Sequence, residues 1–388
     1  MKNSTLRTPH SLFSSLKEDF WRGVLNVTSD AIQIANTVGS GVNHIISPIL
    51  SIPQAIIGHQ TVTDLSFLSS KDAIPVPTDQ SGTHTPTVSQ FLNASNATYS
   101  LAGTPSDLTP FLHDGKQLVI SDQFSGMAAK VWQTPDQQVV IAFQGTTGGD
   151  NMLINPTILV GQIAADIQAA SQHVSQSQKD ALAFTRFVVH EAGERGIDTN
   201  NIFVTGHSLG GIEASYVAQQ TGLGGISFES TGLPAASTGV GTGANFANVI
   251  TYGDPVGSMA SDIQGFQPFA PAYKPGSEGA MPHYGHVIAV GAEADQQTLS
   301  NHIAGVWSHT LIGNAVQLAQ ITTDFVKYHL PGAVAGDLGV TLSPTSISQN
   351  IGGVSHGPVF NAAGDTISQF IAADTLRQNH HSGSAFAA

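Results

Sequence analysis

Two stretches of the chain carry a serine between flanking glycines in a Gly-x-Ser-x-Gly pattern. One is "GHSLG", Gly206 to Gly210, and the other is "GVSHG", Gly353 to Gly357. The chain holds 41 glycines, so the pattern alone says little, and the surroundings have to separate the two copies. Ser208 follows the apolar run "IFVT" and precedes the helical pattern "GIEASYVAQQTG". Ser355 follows the polar "SISQNIGG" and precedes Pro358, with no strand before it. A sharp turn from strand to helix exposes a serine hydroxyl at the end of a sheet. It also brings the residues two before and two after so close that side chains there would clash. Gly206 and Gly210 meet that demand. The N-terminus of the following helix points its free N–H groups at developing negative charge. Ser208 is therefore the candidate nucleophile.

A serine hydroxyl needs a base, usually an imidazole, and an acid that orients it. On an α/β sheet of this kind the chain order is Ser, then Asp or Glu, then His. The acids after Ser208 include Glu229, Asp254, Asp262, Glu278, Glu293, Asp295 and Asp324. Asp254 directly follows the apolar run "NVITYG", and an acid at a strand's carboxyl end shares a crevice with the serine turn. The histidines that follow are His283, His286, His302, His309, His329, His356, His380 and His381. Spacing does not choose among them.

These residues need a scaffold. "AAKVWQ", "QVVIAFQG", "NIFVTG", "GGISFES", "ANVITYG" and "GHVIAVG" read as strands. "SQSQKDALAFTRFVVHEAGERGI" and the segment after Ser208 read as helices, and a long helix is expected from Asn301 to Tyr328, ended by Pro331. Strands alternating with helices predict an α/β fold, with a mostly parallel central sheet covered on both faces. Three regions are expected: an N-terminal helical leader and linker over 1–88, the α/β domain over 89–330, and a Gly/Ser/Ala-rich extension over 331–388.

Together "FQGT" (Phe143 to Thr146), "GHSLGG" (Gly206 to Gly211), "GDPV" (Gly253 to Val256) and "HTL" (His309 to Leu311) resemble the class 3 lipases, an α/β-hydrolase family. The resemblance spans roughly residues 90–330 and includes "NATYSLAG" as the family's first helix. It departs from the family at Gln144, where an arginine is usual. It implies an α/β-hydrolase fold with Ser208, Asp254 and His309 as the triad, and His302 as the alternative base. It also implies an oxyanion hole from the N–H groups of Leu209 and Thr146. The lid of that family falls on Met152, Leu153, Ile154, Ile158 and Leu159. The activity implied is hydrolysis of a lipid ester through an acyl-enzyme, with phospholipase A1 or short-chain esterase as alternatives. A non-catalytic binding or membrane-perturbing role of the same fold is the remaining one.

Composition narrows the partners. The net charge is -14 with 13 basic residues, so no basic surface is available to follow a phosphate backbone, and nucleic acid is not an expected partner. Contact with a lipid–water interface would be apolar rather than electrostatic. Without cysteine, thiolate metal sites and disulfides are ruled out, and the proposed chemistry calls for no metal or organic cofactor. No apolar run is continuous enough to read as a membrane span. Glu18 and Asp19 interrupt the N-terminal apolar segment, so secretion or export without a cleaved leader is expected, the cytoplasm being the alternative.

Overall fold

The computed structural model of the protein describes residues 73–80, 84–99, 104–122, 125–145, 174–234, 237–260, 262–263, 282–306, 311–343 and 355–385. The expected leader helix, Thr146, the expected lid residues Met152, Leu153, Ile154, Ile158 and Leu159, and His309 lie outside them. Among the described residues no helix is long and apolar enough to cross a membrane.

In chain order the elements are α1 (Val88–Asn96), β1 (Thr109–Pro110), β2 (Leu112–His113), β3 (Lys116–Gln117), β4 (Val119–Ser121), β5 (Ala128–Gln133), β6 (Val139–Phe143) and α2 (Gln176–Gly193). Then come β7 (Ile202–His207), α3 (Leu209–Thr221), β8 (Gly225–Phe228), β9 (Phe246–Thr251) and β10 (His286–Val290). The C-terminal part holds α4 (Glu293–Val306), α5 (Leu311–Asp324), a π-helical turn over Phe325–His329, α6 (Pro331–Leu338) and α7 (Ile367–Ala385).

The sheet runs β1-β5-β6-β7-β8-β9-β10, with β4 also pairing β5. β5 is antiparallel to β6, and the pairs from β6 to β10 are parallel. The α/β architecture expected from the strand and helix pattern is the one observed. Strand alternation divides the core. Val140, Ala142, Phe203, Phe228, Val249 and Ile288 face a layer formed by α1, α6 and α7. Val139, Ile141, Phe143, Val204 and Phe246 face α2 and α3. With both faces covered, the central strands carry apolar residues almost continuously, the pattern of a buried parallel sheet.

Three features differ from the sequence expectation. The helix expected over 301–328 is broken: α4 and α5 pack against each other as a pair, and a π-helical turn follows. Pro331 does not simply stop it but opens α6 at the first helical position, where its missing N–H costs nothing. Second, residues beyond 331 belong to the main core: Val334, Leu338, Ala362, Ile367 and Phe370 are buried in the same cluster as the sheet. Their Gly/Ser/Ala-rich composition conceals this spacing. The stretch read as a linker is also anchored. The Thr78 and Asp79 N–H groups donate to the Asn200 side chain at 2.8 and 2.9 Å, and Gln80 reaches the Ile202 carbonyl at 2.8 Å.

Candidate active site

β6 to β10 are parallel, so their carboxyl ends line one edge of the sheet. Ser208 follows β7 there, Glu229 follows β8, Asp254 lies just beyond β9, and Gln144 and Gly145 follow β6. Ser208 has φ 59° and ψ -128°, a conformation few side-chain-bearing residues adopt. Its N–H donates to the Phe228 carbonyl at 2.9 Å, and its own carbonyl accepts from Gly211 and Ile212. The turn is as tight as the sequence argument requires. A Cβ on Gly206 would fall within 3.0 Å of the Gly210 backbone, and one on Gly210 within 3.0 Å of the Phe143 and Gln144 backbone. Gly145 is packed equally closely against the His207 carbonyl and the Tyr99 hydroxyl. Leu209 opens α3, whose first N–H groups have no acceptor within the helix.

The imidazole against Ser208 belongs to His329. Its Nε2 lies 2.9 Å from Ser208 Oγ and its Nδ1 lies 3.0 Å from Asp254 Oδ1. Asp254 is fully buried. Burial pushes its carboxyl up, but the His329 ring, the Glu229 carboxyl and the Val256 N–H together hold it below its ordinary value. The Val256 and Gly257 N–H groups donate to its two oxygens at 3.0 and 2.7 Å. A carboxylate only accepts, so His329 carries its proton on Nδ1 and presents the Nε2 lone pair to the serine hydroxyl.

His329 replaces the expected base. His302, the alternative, turns its Nδ1 to Asp324 at 2.6 Å and ties α4 to the end of α5. His309 falls outside the described residues, and the place beside Ser208 that it was expected to fill holds the His329 ring. His329 closes the π-helical turn, just before extended Leu330. Its ring is tilted against Phe325, with centroids 4.4 Å apart. The available signal was a histidine in the apolar run "FVKYHLPG", directly before a helix-opening proline.

The residue before the nucleophile supports this histidine. His207 Nε2 lies 2.6 Å from the His329 carbonyl and therefore donates to it. Its Nδ1 accepts from the Tyr99 hydroxyl at 2.7 Å. The Tyr99 hydroxyl in turn receives the Gly145 N–H. Burial, and then the neighbouring His329, pull the His207 imidazole down to about 3, so it stays neutral in this role.

Ser355 is arranged differently. Its Oγ lies 2.7 Å from the Gly357 carbonyl and 3.1 Å from Asp337 Oδ1, either of which can accept its one proton, and among the described residues no imidazole nitrogen accepts from it. Among the described residues, Glu229, Asp254 and His329 are the group whose ligand-type atoms lie within 4.8 Å of one another. The Asp254 oxygens there are already committed to backbone donors and His329, as the distances above record.

One and a half turns into α3, Glu213 is buried beside Ser177 and Asp180, and its Oε2 has no hydrogen-bond partner among the described residues. Burial raises its carboxyl well above the ordinary 4.5. A folded-state value above the unfolded one stabilises below the unfolded value and is lost as pH rises through the folded one. Glu213→Gln should therefore match the wild type near pH 4. Above pH 5 it should gain stability progressively, reaching about 1–3 kcal/mol. Urea unfolding at pH 4, 6 and 8 checks this.

No family model and no curated protein matches the chain. Among solved structures it is similar to a triacylglycerol lipase from Penicillium expansum. That chain is 17% identical, the match covers 53% of this chain and 79% of that one, and the TM-score is 0.34.

Proposed function

We propose that the protein is a serine carboxylic-ester hydrolase acting on lipid esters through Ser208, His329 and Asp254. The observation that carries this reading is the unbroken hydrogen-bonded series of hydroxyl, imidazole and buried carboxylate, mounted on a strained strand-to-helix turn. Ser208 Oγ attacks the ester carbonyl carbon as His329 Nε2 takes its proton. The tetrahedral oxyanion is met by the Leu209 N–H at the start of α3, with Thr146 as the second donor expected from sequence. One such donor is typically worth about 3 kcal/mol in the transition state. His329 then passes its proton to the departing alcohol. Water, deprotonated by the same ring, releases the acid. Asp254 holds the ring in the tautomer that accepts at Nε2 and stabilises its charged form.

The lipid character of the substrate is proposed from the sequence resemblance and from the apolar segment after Gly149. Ser208→Ala is expected to reduce p-nitrophenyl ester turnover by at least four orders of magnitude. Wild-type protein incubated with mixed triglyceride and phosphatidylcholine vesicles should release fatty acid, followed by mass spectrometry. Diacylglycerol as co-product supports a triacylglycerol lipase and lysophospholipid a phospholipase. Turnover of short soluble esters alone would reject lipid as the substrate class.

A further inference from the structure

The reaction above makes no use of the buried acid that lies beside Asp254 and His329. Glu229 follows β8, between the strands that end at Ser208 and Asp254, and it is fully buried. Its backbone sits at φ 50°, an unfavourable conformation for a side-chain-bearing residue, held by its N–H donating to the Val249 carbonyl at 2.8 Å. Both carboxyl oxygens lie 3.1 Å from the Thr251 N–H, and Oε1 accepts the Thr251 hydroxyl at 2.7 Å. Each of Glu229, Asp254 and His329 contributes an atom to a set lying within 4.8 Å.

Two carboxyl groups joined this closely in a dry interior do not both ionise. Among the described residues Asp254 receives two backbone N–H groups and the His329 ring, whereas Glu229 receives the N–H and hydroxyl of Thr251, so the negative charge rests on Asp254. Burial, and then the charge of Asp254, push the Glu229 carboxyl well above its ordinary value. A neutral Glu229 carboxyl within 4.8 Å of Asp254 would have an O–H to offer it.

We propose that Glu229 and Asp254 form one proton-sharing acid pair behind His329, in which Glu229 takes the charge and orients the ring when Asp254 is removed. This rests on the reading of Ser208 and His329 as nucleophile and base. Glu229 is a positioning residue: it acts on the hydroxyl only through His329.

Four variants test it, with p-nitrophenyl butyrate turnover and thermal melts measured on each. Glu229→Gln keeps an oxygen for Thr251 and an N–H for Asp254 but cannot share a proton, so kcat/KM should fall by about three- to tenfold, less than in either Asp254 variant. Asp254→Ala should lose about 10- to 100-fold, less than the roughly 10⁴-fold typical when an orienting carboxylate is neutralised. The double variant should fall by the full factor of about 10⁴. The residual rate of Asp254→Ala should drop at low pH as Glu229 takes up a proton, a limb absent from the double variant. Asp254→Ala as inactive as the double variant would overturn the pair. Ser208→Ala is measured beside them: turnover surviving in that variant would reject the underlying reading, a different outcome from inactivity of Asp254→Ala alone. Should the Asp254 variants fail to fold, infrared spectra at pH 7 still decide. A protonated-carboxyl band lost in Glu229→Gln supports the pair, and identical spectra overturn it.

Discussion

His329→Ala should lower kcat for a soluble ester by four to six orders of magnitude, while His302→Asn and His309→Asn stay within about tenfold of wild type. The large figure follows from the series it breaks. Without an acceptor 2.9 Å from its hydroxyl, Ser208 remains a neutral alcohol, and removing either serine or base costs nearly the whole benefit of such a unit. The variant also strands Asp254 as a buried charge without its partner, a loss on the order of 3–5 kcal/mol. Stability therefore has to be measured beside rate, and His329→Gln, which keeps a donor for Asp254, separates the two effects. His302 bonds Asp324 between helices, so its replacement should register in the melting temperature rather than in turnover.

The second large effect is expected from Gly206→Ala. The added methyl would lie within 3.0 Å of the Gly210 carbonyl, which is backbone and has nowhere to move inside a turn already at φ 59°. Overpacking against rigid backbone at the centre of the fold should cost more than about 3 kcal/mol and displace the Ser208 hydroxyl from His329. Gly193→Ala is the control. It sits at the end of α2 with nothing within 4 Å of the new methyl, and it should be neutral or stabilising by about 0.4–1 kcal/mol. Equal melting temperatures and equal rates in the two variants would contradict the turn geometry.

The strands were legible because burial on both faces of a parallel sheet leaves apolar runs bounded by glycine and polar residues. β7 with α3 and β9 with Asp254 follow that rule. Gly206 and Gly210 were legible for a steric reason that holds for any such turn. His329 was not. Helical periodicity assumes 3.6 residues per turn, and the π-helical turn over Phe325–His329 widens the turn, so the face presented by His329 does not follow from the pattern upstream. The break between α4 and α5 removed the remaining phase reference. Glu229 carried no motif, since its role comes from the pairing of β8 with β9 rather than from its neighbours in sequence. The packing of α6 and α7 was hidden for another reason. Small residues such as Ala335 in α6 and Ala362 in the segment before α7 fill a core without giving the hydrophobic weight that composition measures.

In this active site one hydroxyl, that of Ser208, is proposed to be made nucleophilic by one imidazole, that of His329. Reaction with a fluorophosphonate, followed by peptide mapping, tests this without any assumption about substrate. A single adduct on Ser208 is expected, formed rapidly in the wild type and at least a thousandfold more slowly in His329→Ala. An adduct on Ser355 or elsewhere, or labelling of Ser208 at the same rate without His329, would contradict it.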